Sequence, residues 1–262
     1  MPALELARKE WIQACHFHDL SGQEVLREVT RRVKTTQTNS PVILLDLDST
    51  LYEVGPRTLQ ILNEWIASQE FKLFSPEIQK AFQKLELSHI GYSLKDTFLN
   101  LGLTQEVPDV RSAWESARKF WRARFFTHEY LEYDRVYPGA VEFVQGLYRQ
   151  GAILVYLTGR DEPGMGDGTR LYLESHGFPW GGEKTHLLTK TSSEISDIEH
   201  KQGAAGFVKS IGQLIASFEN EPPNLVALYE CFPQAMHVFV DTFCSDRPAK
   251  PCQGLYRIRR FD

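Results

Sequence analysis

"VILLDLDSTLYEV", residues 42–54, joins a run of branched apolar side chains directly to two acids. The run Val42–Leu45 has the composition and the length of a buried strand. Asp46 and Asp48 follow at its end, and two carboxylates held this close repel each other. Because an acidic pair at the end of a buried strand is electrostatically costly, we interpret it as part of a functional site.

The bulk composition of the chain excludes several classes of protein. The 262 residues are 42% apolar and 24% charged, which is the balance of a globular protein with one large domain or a domain with an insert. The net charge of -5 argues against electrostatic binding to nucleic acid. No apolar run approaches the roughly 20 residues of a membrane helix, and the N-terminus lacks the apolar core of a signal peptide. With four scattered cysteines, these features predict a cytoplasmic protein without a membrane or nucleic-acid partner.

Strands and helices alternate in the second half of the sequence. After a helix that begins at Ala140, apolar runs recur at Ile153–Leu157 and in the segments THLLTK, QLIASFENEP and HVFVDTF. Such alternation predicts right-handed crossovers and a parallel sheet. We therefore expect an α/β fold with a three-layer, Rossmann-like core.

The other segments are predicted to be helical. In the N-terminal part, Ser21 and Glu24 have the spacing of a capping box, and an apolar stripe follows them. A long stretch after the acidic pair shows helical periodicity and no convincing strand. The predicted division is a helical extension over 1–36, a core over 37–52 and 136–262, and a helical insert over 53–135.

Polar residues follow each apolar run of the predicted core. In open α/β sheets, ligands bind beyond the carboxyl ends of the strands, so these residues are candidates for one site. In chain order they are Asp46 and Asp48; Thr158, Gly159 and Arg160; Lys190; Glu219, Asn220 and Glu221; Asp241 and Thr242.

This set of residues suits phosphoryl chemistry. Clustered carboxylates favour a hard dication, and Mg²⁺ prefers carboxylate, carbonyl and water oxygens. A threonine hydroxyl and a lysine ammonium beside the metal would bind a phosphoryl group, whose transfer depends mainly on positioning and charge neutralisation. One aspartate can attack phosphorus, and a second can protonate the leaving oxygen. We therefore expect Asp46 and Asp48 to share a metal-assisted displacement.

The segments LLDLDST and VYLTGR together resemble the first two motifs of the haloacid dehalogenase superfamily. The resemblance covers about residues 37–52 and 136–245. It implies that Asp46 is the nucleophile and a metal ligand, and that Asp48 is the general acid and base and offers its main-chain carbonyl to the metal. Thr158, with Gly159 beside it, would bind the phosphoryl oxygens. Because Asp48 is present, the resemblance favours a phosphatase.

The third and fourth motifs of the family are less clear in this sequence. The third motif is a lysine, and Lys201 lies earlier in its predicted helix than Lys209, hence nearer the carboxyl edge of the sheet. Lys201 is therefore our first candidate for binding the phosphate, with Lys190 in reserve. The fourth motif departs from the family, because SFENEPPN stands where aspartates are usual. Glu219 is expected to replace an aspartate as metal ligand, and Glu221 or Asn224 to orient a water molecule.

The insert over 53–135 lies where helical caps occur in this family. A cap of this size implies a small phosphomonoester, a phosphorylated metabolite, as the substrate. The altered fourth motif supports an alternative function, a non-catalytic protein that binds a phosphorylated ligand or a protein partner. Phosphoryl transfer to an acceptor other than water is a third hypothesis.

Two further features allow different interpretations. Arg160 is as consistent with binding the substrate as with pairing to a carboxylate. The glycine-rich segment GMGDG, Gly164–Gly168, lacks the context of a dinucleotide-binding loop, and we predict a flexible loop there.

Overall fold

The computed structural model describes residues 5–36 and 40–262. The chain divides into two compact units, one of Met1–Tyr52 with Val136–Asp262 and one of Glu53–Arg135. The second unit has the limits of the predicted helical insert. Residues 37–39, at the start of the predicted core segment 37–52, and residues 1–4 lie outside the described part of the chain.

The first unit contains most of the strands. In chain order the strands of the protein are β1 (His16–Phe17), β2 (Pro41–Leu45), β3 (Tyr52–Glu53), β4 (Arg135–Val136), β5 (Ile153–Asp161), β6 (Thr185–Lys190), β7 (Gln213–Glu219), β8 (Met236–Val240) and β9 (Gln253–Ile258). The α-helices are α1 (Arg8–Ala14), α2 (Gly22–Thr35), α3 (Gly55–Ile66), α4 (Pro76–Phe82), α5 (Leu94–Asn100), α6 (Val110–Phe125), α7 (Ala140–Arg149), α8 (Glu162–Ser175), α9 (Asp197–Ile211) and α10 (Pro222–Cys231).

A seven-stranded sheet organises the first unit. Its order is β1-β9-β8-β7-β2-β5-β6, and neighbouring strands are parallel. Strand β2 lies inside the sheet between two neighbours, with Leu44 paired to Val155 of β5 and to Ser217 of β7. The predicted α/β, Rossmann-like core is confirmed. All strands of such a sheet end at one edge, so the residues after β2, β5, β6 and β7 gather there.

Strand β2 is apolar without interruption because both faces of the sheet are covered. Ile43 and Leu45 join a core cluster that contains residues of α2 and α7. Val42 and Leu44 point to the opposite face, where the cluster contains residues of α9 and α10. Side chains alternate between the two faces of a strand, so a strand buried on both sides carries apolar residues at every position.

The N-terminal segment is more than a helical extension. Strand β1 lies between α1 and α2 and pairs with β9 at the edge of the sheet, with His16 opposite Gln253. The prediction of helices alone over 1–36 was therefore wrong at His16–Phe17. Strand β9 was also not predicted from the sequence. A two-residue strand has no readable periodicity, and its existence depends on a partner more than 200 residues away in the chain.

The predicted loop at Gly164–Gly168 is helical instead. These residues lie within α8, where Pro163 occupies the first turn and Gly166 and Gly168 are buried. Glycine weakens a helix in isolation, but packing of α8 against β5 and β6 outweighs the low propensity. A Cβ atom on Gly166 would meet the Glu162 carboxylate at 2.7 Å. That carboxylate is the far end of a flexible side chain and can move, so the contact by itself does not require glycine there.

The second unit has its own aromatic core and a buried ion pair. Trp65 packs edge-on against Phe71 and Phe82, with ring centroids 4.9 and 5.1 Å apart. The guanidinium of Arg57, near the start of α3, pairs with the Asp134 carboxylate at the end of the unit. The same guanidinium donates to the main-chain carbonyl of Phe125 at 3.1 Å. This pair ties the first and last segments of the unit together.

No helix in the described ranges, 5–36 and 40–262, is long and apolar enough to cross a membrane.

A buried histidine links two central strands of the first unit. His237 of β8 lies opposite Ser217 of β7, with its Nδ1 atom 2.8 Å from the serine Oγ. Its Nε2 atom lies 2.9 Å from the carbonyl oxygen of Phe232. A carbonyl only accepts hydrogen bonds, so Nε2 carries the proton and Nδ1 accepts from the hydroxyl. The ring is neutral, and burial lowers the pKa of His237.

We expect this histidine to make the protein less stable in acid. Because the pKa of His237 is lower in the folded state than the roughly 6.5 of an exposed histidine, its contribution is complete above that pH and is lost as the pH falls. Urea unfolding at about pH 7.5 and about pH 5.5 measures the loss. The free energy of unfolding should fall more in the wild type than in His237→Gln, and equal losses in both proteins would contradict the assignment.

Candidate active site

Asp46 lies at the carboxyl edge of the sheet, directly after β2. Its main-chain N–H donates to the carbonyl of Phe218 in β7 at 3.1 Å, which continues the strand pairing by one residue. The residue is 8% exposed. The carboxylate is therefore nearly withdrawn from water, although it follows an otherwise apolar strand.

The ammonium group of Lys201 is the cation that faces Asp46. Helix α9 begins with a capping box formed by Ser196 and Glu199, and Lys201 follows in the early part of the helix, 1% exposed. Its Nζ atom lies 2.7 Å from Asp46 Oδ1, 2.5 Å from the carbonyl oxygen of Leu157 and 2.9 Å from Glu219 Oε2. An ammonium has three hydrogens, and three oxygens surround this one.

Burial and mutual repulsion act on the two carboxylates of this cluster. Burial raises the pKa of Asp46, and the charge of Lys201 opposes the rise. Burial and the neighbouring Asp46 raise the pKa of Glu219 to about 8. Burial alone would lower the pKa of Lys201, but the two carboxylates outweigh it, so that pKa lies above its ordinary value. Lys201 is therefore charged, and it is the group that stabilises negative charge on Asp46.

The second oxygen of Asp46 contacts Thr50, which in turn contacts Asn220. Thr50 Oγ1 lies 2.9 Å from Asp46 Oδ2 and 3.1 Å from Asn220 Oδ1. Asn220 Nδ2 donates to the carbonyl of Phe243 at 2.6 Å, which turns the amide oxygen towards Thr50. One hydroxyl hydrogen serves one acceptor at a time, so two oxygens compete for it. Two acceptor oxygens beside Asp46 therefore share the hydrogen of one hydroxyl group.

The oxygens at this edge fit a magnesium ion. Among residues 5–36 and 40–262, no group of three or more His, Cys, Asp or Glu side chains is placed to hold a metal. The predicted ligand set of Asp46, Asp48 and Glu219 includes the main-chain carbonyl of Asp48, which lies outside such side-chain groups, so this set stays a prediction. The Glu219 carboxylate pairs with the Lys201 ammonium and accepts a hydrogen bond from the main-chain N–H of Glu221 at 3.0 Å. Asp46 and the Asn220 amide oxygen are a carboxylate and a carbonyl, which are ligand types that Mg²⁺ accepts.

Thr158 and Gly159 lie beside Asp46 in the neighbouring strand β5. Thr158 is fully buried, and its Oγ accepts the main-chain N–H of Arg160 at 3.2 Å. A Cβ atom on Gly159 would meet Asp197 Oδ1 at 2.8 Å, so glycine allows the start of α9 to approach this strand. Lys190 pairs with the same Asp197 carboxylate at 3.1 Å. Of the two lysine candidates, Lys201 is the one in contact with Asp46.

Arg160 pairs with a carboxylate, and that carboxylate belongs to Asp48. Arg160 Nη2 donates to Asp48 Oδ1 at 2.5 Å, and Arg160 Nε lies 3.1 Å from the same oxygen. Of the two interpretations of this arginine that the sequence left open, the pairing to a carboxylate is thus observed. Asp48 is held by a neighbouring strand and not by solvent alone.

Several residues at this edge were not singled out by their sequence. Thr50 and Ser245 are examples, since each is a common polar residue outside the regular helices and strands. Glu221, predicted to orient a water molecule, accepts from Ser245 Oγ at 2.5 Å and from Arg247 at 3.1 Å. The available signal was position, because Thr50 and Ser245 lie in the segments that follow the carboxyl ends of β2 and β8.

Known proteins resemble this chain in sequence and in fold. The sequence model of the haloacid dehalogenase-like hydrolases matches residues 41–178, more than half of the chain. None of the curated proteins matches the sequence.

Solved structures with a similar fold come from several bacteria. A candidate phosphatase from Clostridium difficile has 14% sequence identity and a TM-score of 0.50, over 86% of this chain and 96% of that chain. A haloacid dehalogenase-like family hydrolase from Streptococcus pneumoniae has 13% identity and a TM-score of 0.46, over 84% and 94%. A predicted phosphoglycolate phosphatase from Haemophilus somnus has 15% identity and a TM-score of 0.47, over 84% and 94%. The likeness to the first of these concerns the fold alone.

The Lys201 cluster predicts a specific pattern of stability. In Lys201→Met, two buried carboxylates lose their cation, which should destabilise the protein by about 3–5 kcal/mol. Adding Glu219→Gln replaces the second buried carboxyl group, whose pKa is already raised to about 8, by a neutral amide that needs no cation, so the double variant should recover part of the loss. Chemical denaturation of the wild type and both variants measures these differences. A double variant no more stable than Lys201→Met would contradict the charge pairing.

Proposed function

This chain belongs to the haloacid dehalogenase-like hydrolase family, and we propose that it is a Mg²⁺-dependent phosphatase that acts on a small phosphomonoester through an aspartyl-phosphate. The observation that supports this proposal most directly is the buried contact of 2.7 Å between Asp46 and the Lys201 ammonium. A carboxylate that is desolvated and oriented by a fixed cation, at the ligand-binding edge of a parallel sheet, is suited to nucleophilic attack.

Asp46 attacks the phosphorus atom of the substrate with one of its oxygens. Lys201 and Thr50 bind the two oxygens of its carboxylate and restrict rotation of the side chain. A restricted nucleophile loses less entropy when it reaches the reacting atom. The attack forms the bond from aspartate to phosphorus while the bond from phosphorus to the leaving oxygen breaks.

Thr158, Gly159 and Lys201 bind the phosphoryl group during this step. The threonine hydroxyl and the main-chain N–H of the glycine are hydrogen-bond donors, and the ammonium supplies positive charge. Lys190 pairs with Asp197 near Gly159 and contributes further positive charge at the rim. These groups favour a transition state in which charge spreads over the phosphoryl oxygens.

Asp48 transfers the protons. It first protonates the leaving oxygen and then, as a carboxylate, removes a proton from the water that hydrolyses the aspartyl-phosphate. Its side chain is 32% exposed, so water and the leaving group can reach it. This exposure contrasts with the buried state of Asp46 and matches the different tasks of the two acids.

Asp46, the main-chain carbonyl of Asp48 and the amide oxygen of Asn220 would hold the magnesium ion. The ion, when bound, supplies positive charge that offsets the repulsion between the phosphoryl group and Asp46. Asn220 is neutral where an aspartate is usual in the family, so we infer a lower affinity for Mg²⁺ than an acidic ligand would give. Glu219 serves chiefly as the second partner of Lys201.

The helical unit Glu53–Arg135 is inserted directly after the first motif, and we infer that it acts as a cap that selects the substrate. A helical cap that closes over a substrate excludes water and contacts the part beyond the phosphate. Small soluble metabolites fit such an enclosed site better than phosphoproteins. Rapid turnover of phosphopeptides without turnover of small phosphomonoesters would contradict this inference.

One observation favours a second candidate function, the binding of a phosphorylated ligand or a protein partner without catalysis. The oxygens of Glu219 face Lys201 and the main-chain N–H of Glu221, and Asn220 carries no charge. A site with a weak metal ligand set could keep phosphate affinity after losing turnover. The next experiment separates the two functions.

Hydrolysis of p-nitrophenyl phosphate tests the proposed phosphatase. We expect turnover with Mg²⁺, no turnover with EDTA, and a loss of at least about 10³-fold in kcat for Asp46→Asn, because the nucleophile is removed. A screen of small phosphomonoesters covers the case in which the site rejects this probe. Absence of turnover throughout, with phosphate binding retained in Asp46→Asn, would support the binding function instead.

The role of Asn220 is tested by a change towards the family pattern. Asn220→Asp adds a negative charge beside Asp46, so Mg²⁺ affinity should rise by about tenfold, because Mg²⁺ binds carboxylates more strongly than amides. Isothermal titration calorimetry with Mg²⁺ measures the affinity without substrate. Asn63→Asp, at an exposed position on α3, is the matched control. An equal gain in both variants would refute the specific role of Asn220.

A further inference from the structure

Two nitrogens of the Arg160 guanidinium donate hydrogen bonds to the Asp48 carboxylate. Nη2 lies 2.5 Å from Asp48 Oδ1, and Nε lies 3.1 Å from Oδ1 and 3.3 Å from Oδ2. The planar guanidinium presents its N–H groups as a rigid fork that matches a carboxylate. This contact therefore restricts the rotation of the carboxylate as well as its distance.

The Arg160 side chain is itself held in place by buried contacts. It is 3% exposed, and its Nη1 donates to Thr169 Oγ1 of α8 at 3.2 Å. The carbon of its guanidinium lies 5.6 Å from the ring centre of Tyr52. A buried arginine with donors directed to two different elements has little freedom to turn towards another ligand. Contacts within β5 and with α8 thus fix the Arg160 guanidinium, which is part of neither the nucleophile nor the proposed phosphate-binding site.

The backbone around Asp48 is held by its own hydrogen bonds, whereas the Asp48 side chain depends on Arg160 for its position. The carbonyl of Leu47 accepts the N–H groups of Thr50, Leu51 and Tyr52, and Ser49 has a φ of 61°, so the loop is tightly folded. The Asp48 side chain, in contrast, is 32% exposed. An exposed aspartate samples several rotamers unless a partner selects one.

We propose that Arg160 is a positioning residue, which selects the Asp48 rotamer for proton transfer and acts on the reaction only through Asp48. The inference rests on the proposed function in one respect, that Asp48 transfers protons. The contacts of Arg160 with Asp48 and Thr169 distinguish this role from direct binding of the phosphoryl group. General acid–base catalysis requires the carboxyl group within hydrogen-bond reach of the proton, so a wrong rotamer lowers kcat and leaves binding unchanged.

Steady-state kinetics of Arg160→Gln and Arg160→Lys test the proposal. In Arg160→Gln, kcat should fall by about 10²-fold with KM changed by less than about threefold, because proton transfer contributes about this factor. In Arg160→Lys the charge is kept and the fork is lost, so kcat should fall by about tenfold. Arg170→Gln, which removes an ion pair of 2.6 Å with Glu162 on the exposed side of α8, should leave kcat unchanged.

A double-mutant cycle with Asp48→Asn separates positioning from other roles. The first burst of p-nitrophenolate needs no protonated leaving group, so it remains measurable without Asp48. In the Asp48→Asn background, Arg160→Gln should change the burst rate by less than about twofold, because a residue that acts only through Asp48 has no effect once the Asp48 carboxyl group is absent. A full additional loss, or a rise in KM with kcat unchanged, would show that Arg160 binds the phosphoryl group and would overturn the proposal.

A crystal structure of Arg160→Gln provides a readout that does not require turnover. The Asp48 carboxylate should leave the rotamer seen beside Arg160, while Asp46, Lys201 and Thr50 keep their contacts. An unchanged Asp48 rotamer would overturn the positioning role even if activity fell. If the wild type hydrolysed no phosphomonoester, the proposed function would fail, and the Asp48 rotamer would still decide whether Arg160 positions this side chain.

Discussion

The ammonium of Lys201, buried between Asp46 and Glu219, is the interaction on which the rest of the site depends. It brings together four elements, because Lys201 comes from α9, Asp46 follows β2, Leu157 lies in β5 and Glu219 ends β7. A single cation thereby stabilises two desolvated carboxylates. Removing one partner of such a group leaves an uncompensated buried charge, so the arrangement is strongly constrained. The chemistry of Asp46 and the integrity of the sheet edge therefore rest on the same contact.

The parallel sheet explains how this contact can exist. Its strands are covered on both faces, which removes water from the strand ends, and they all end at one edge. Polar residues that are scattered over the chain consequently meet at a desolvated place. The same geometry gives Asp46 and Asp48 different surroundings, although they are two residues apart. Asp46 is buried and pairs with Lys201, whereas Asp48 is partly exposed and pairs with Arg160.

The predicted parts of the site are those that follow from strand ends and helix direction. Lys201 was preferred over Lys209 because a helix that follows a strand begins at the carboxyl edge, and it is Lys201 that contacts Asp46. Glu219, expected as a metal ligand, contacts Lys201, and the adjacent Asn220 places its amide oxygen on Thr50, whose hydroxyl also contacts Asp46. Pattern alone does not tell which of two adjacent polar residues points into the site, because that depends on where the strand ends and turns.

The sequence by itself determined the α/β class, the helical insert and the acidic pair at the end of β2, since these rest on the periodicity and order of neighbouring residues. Only the tertiary structure decided that β1 and β9 complete the sheet, that Gly164–Gly168 is helical, and that Arg160 grips Asp48. Each of these depends on residues far apart in the chain. Local periodicity reports the preference of a segment, whereas packing against distant partners supplies free energy that can reverse that preference and select a side-chain direction.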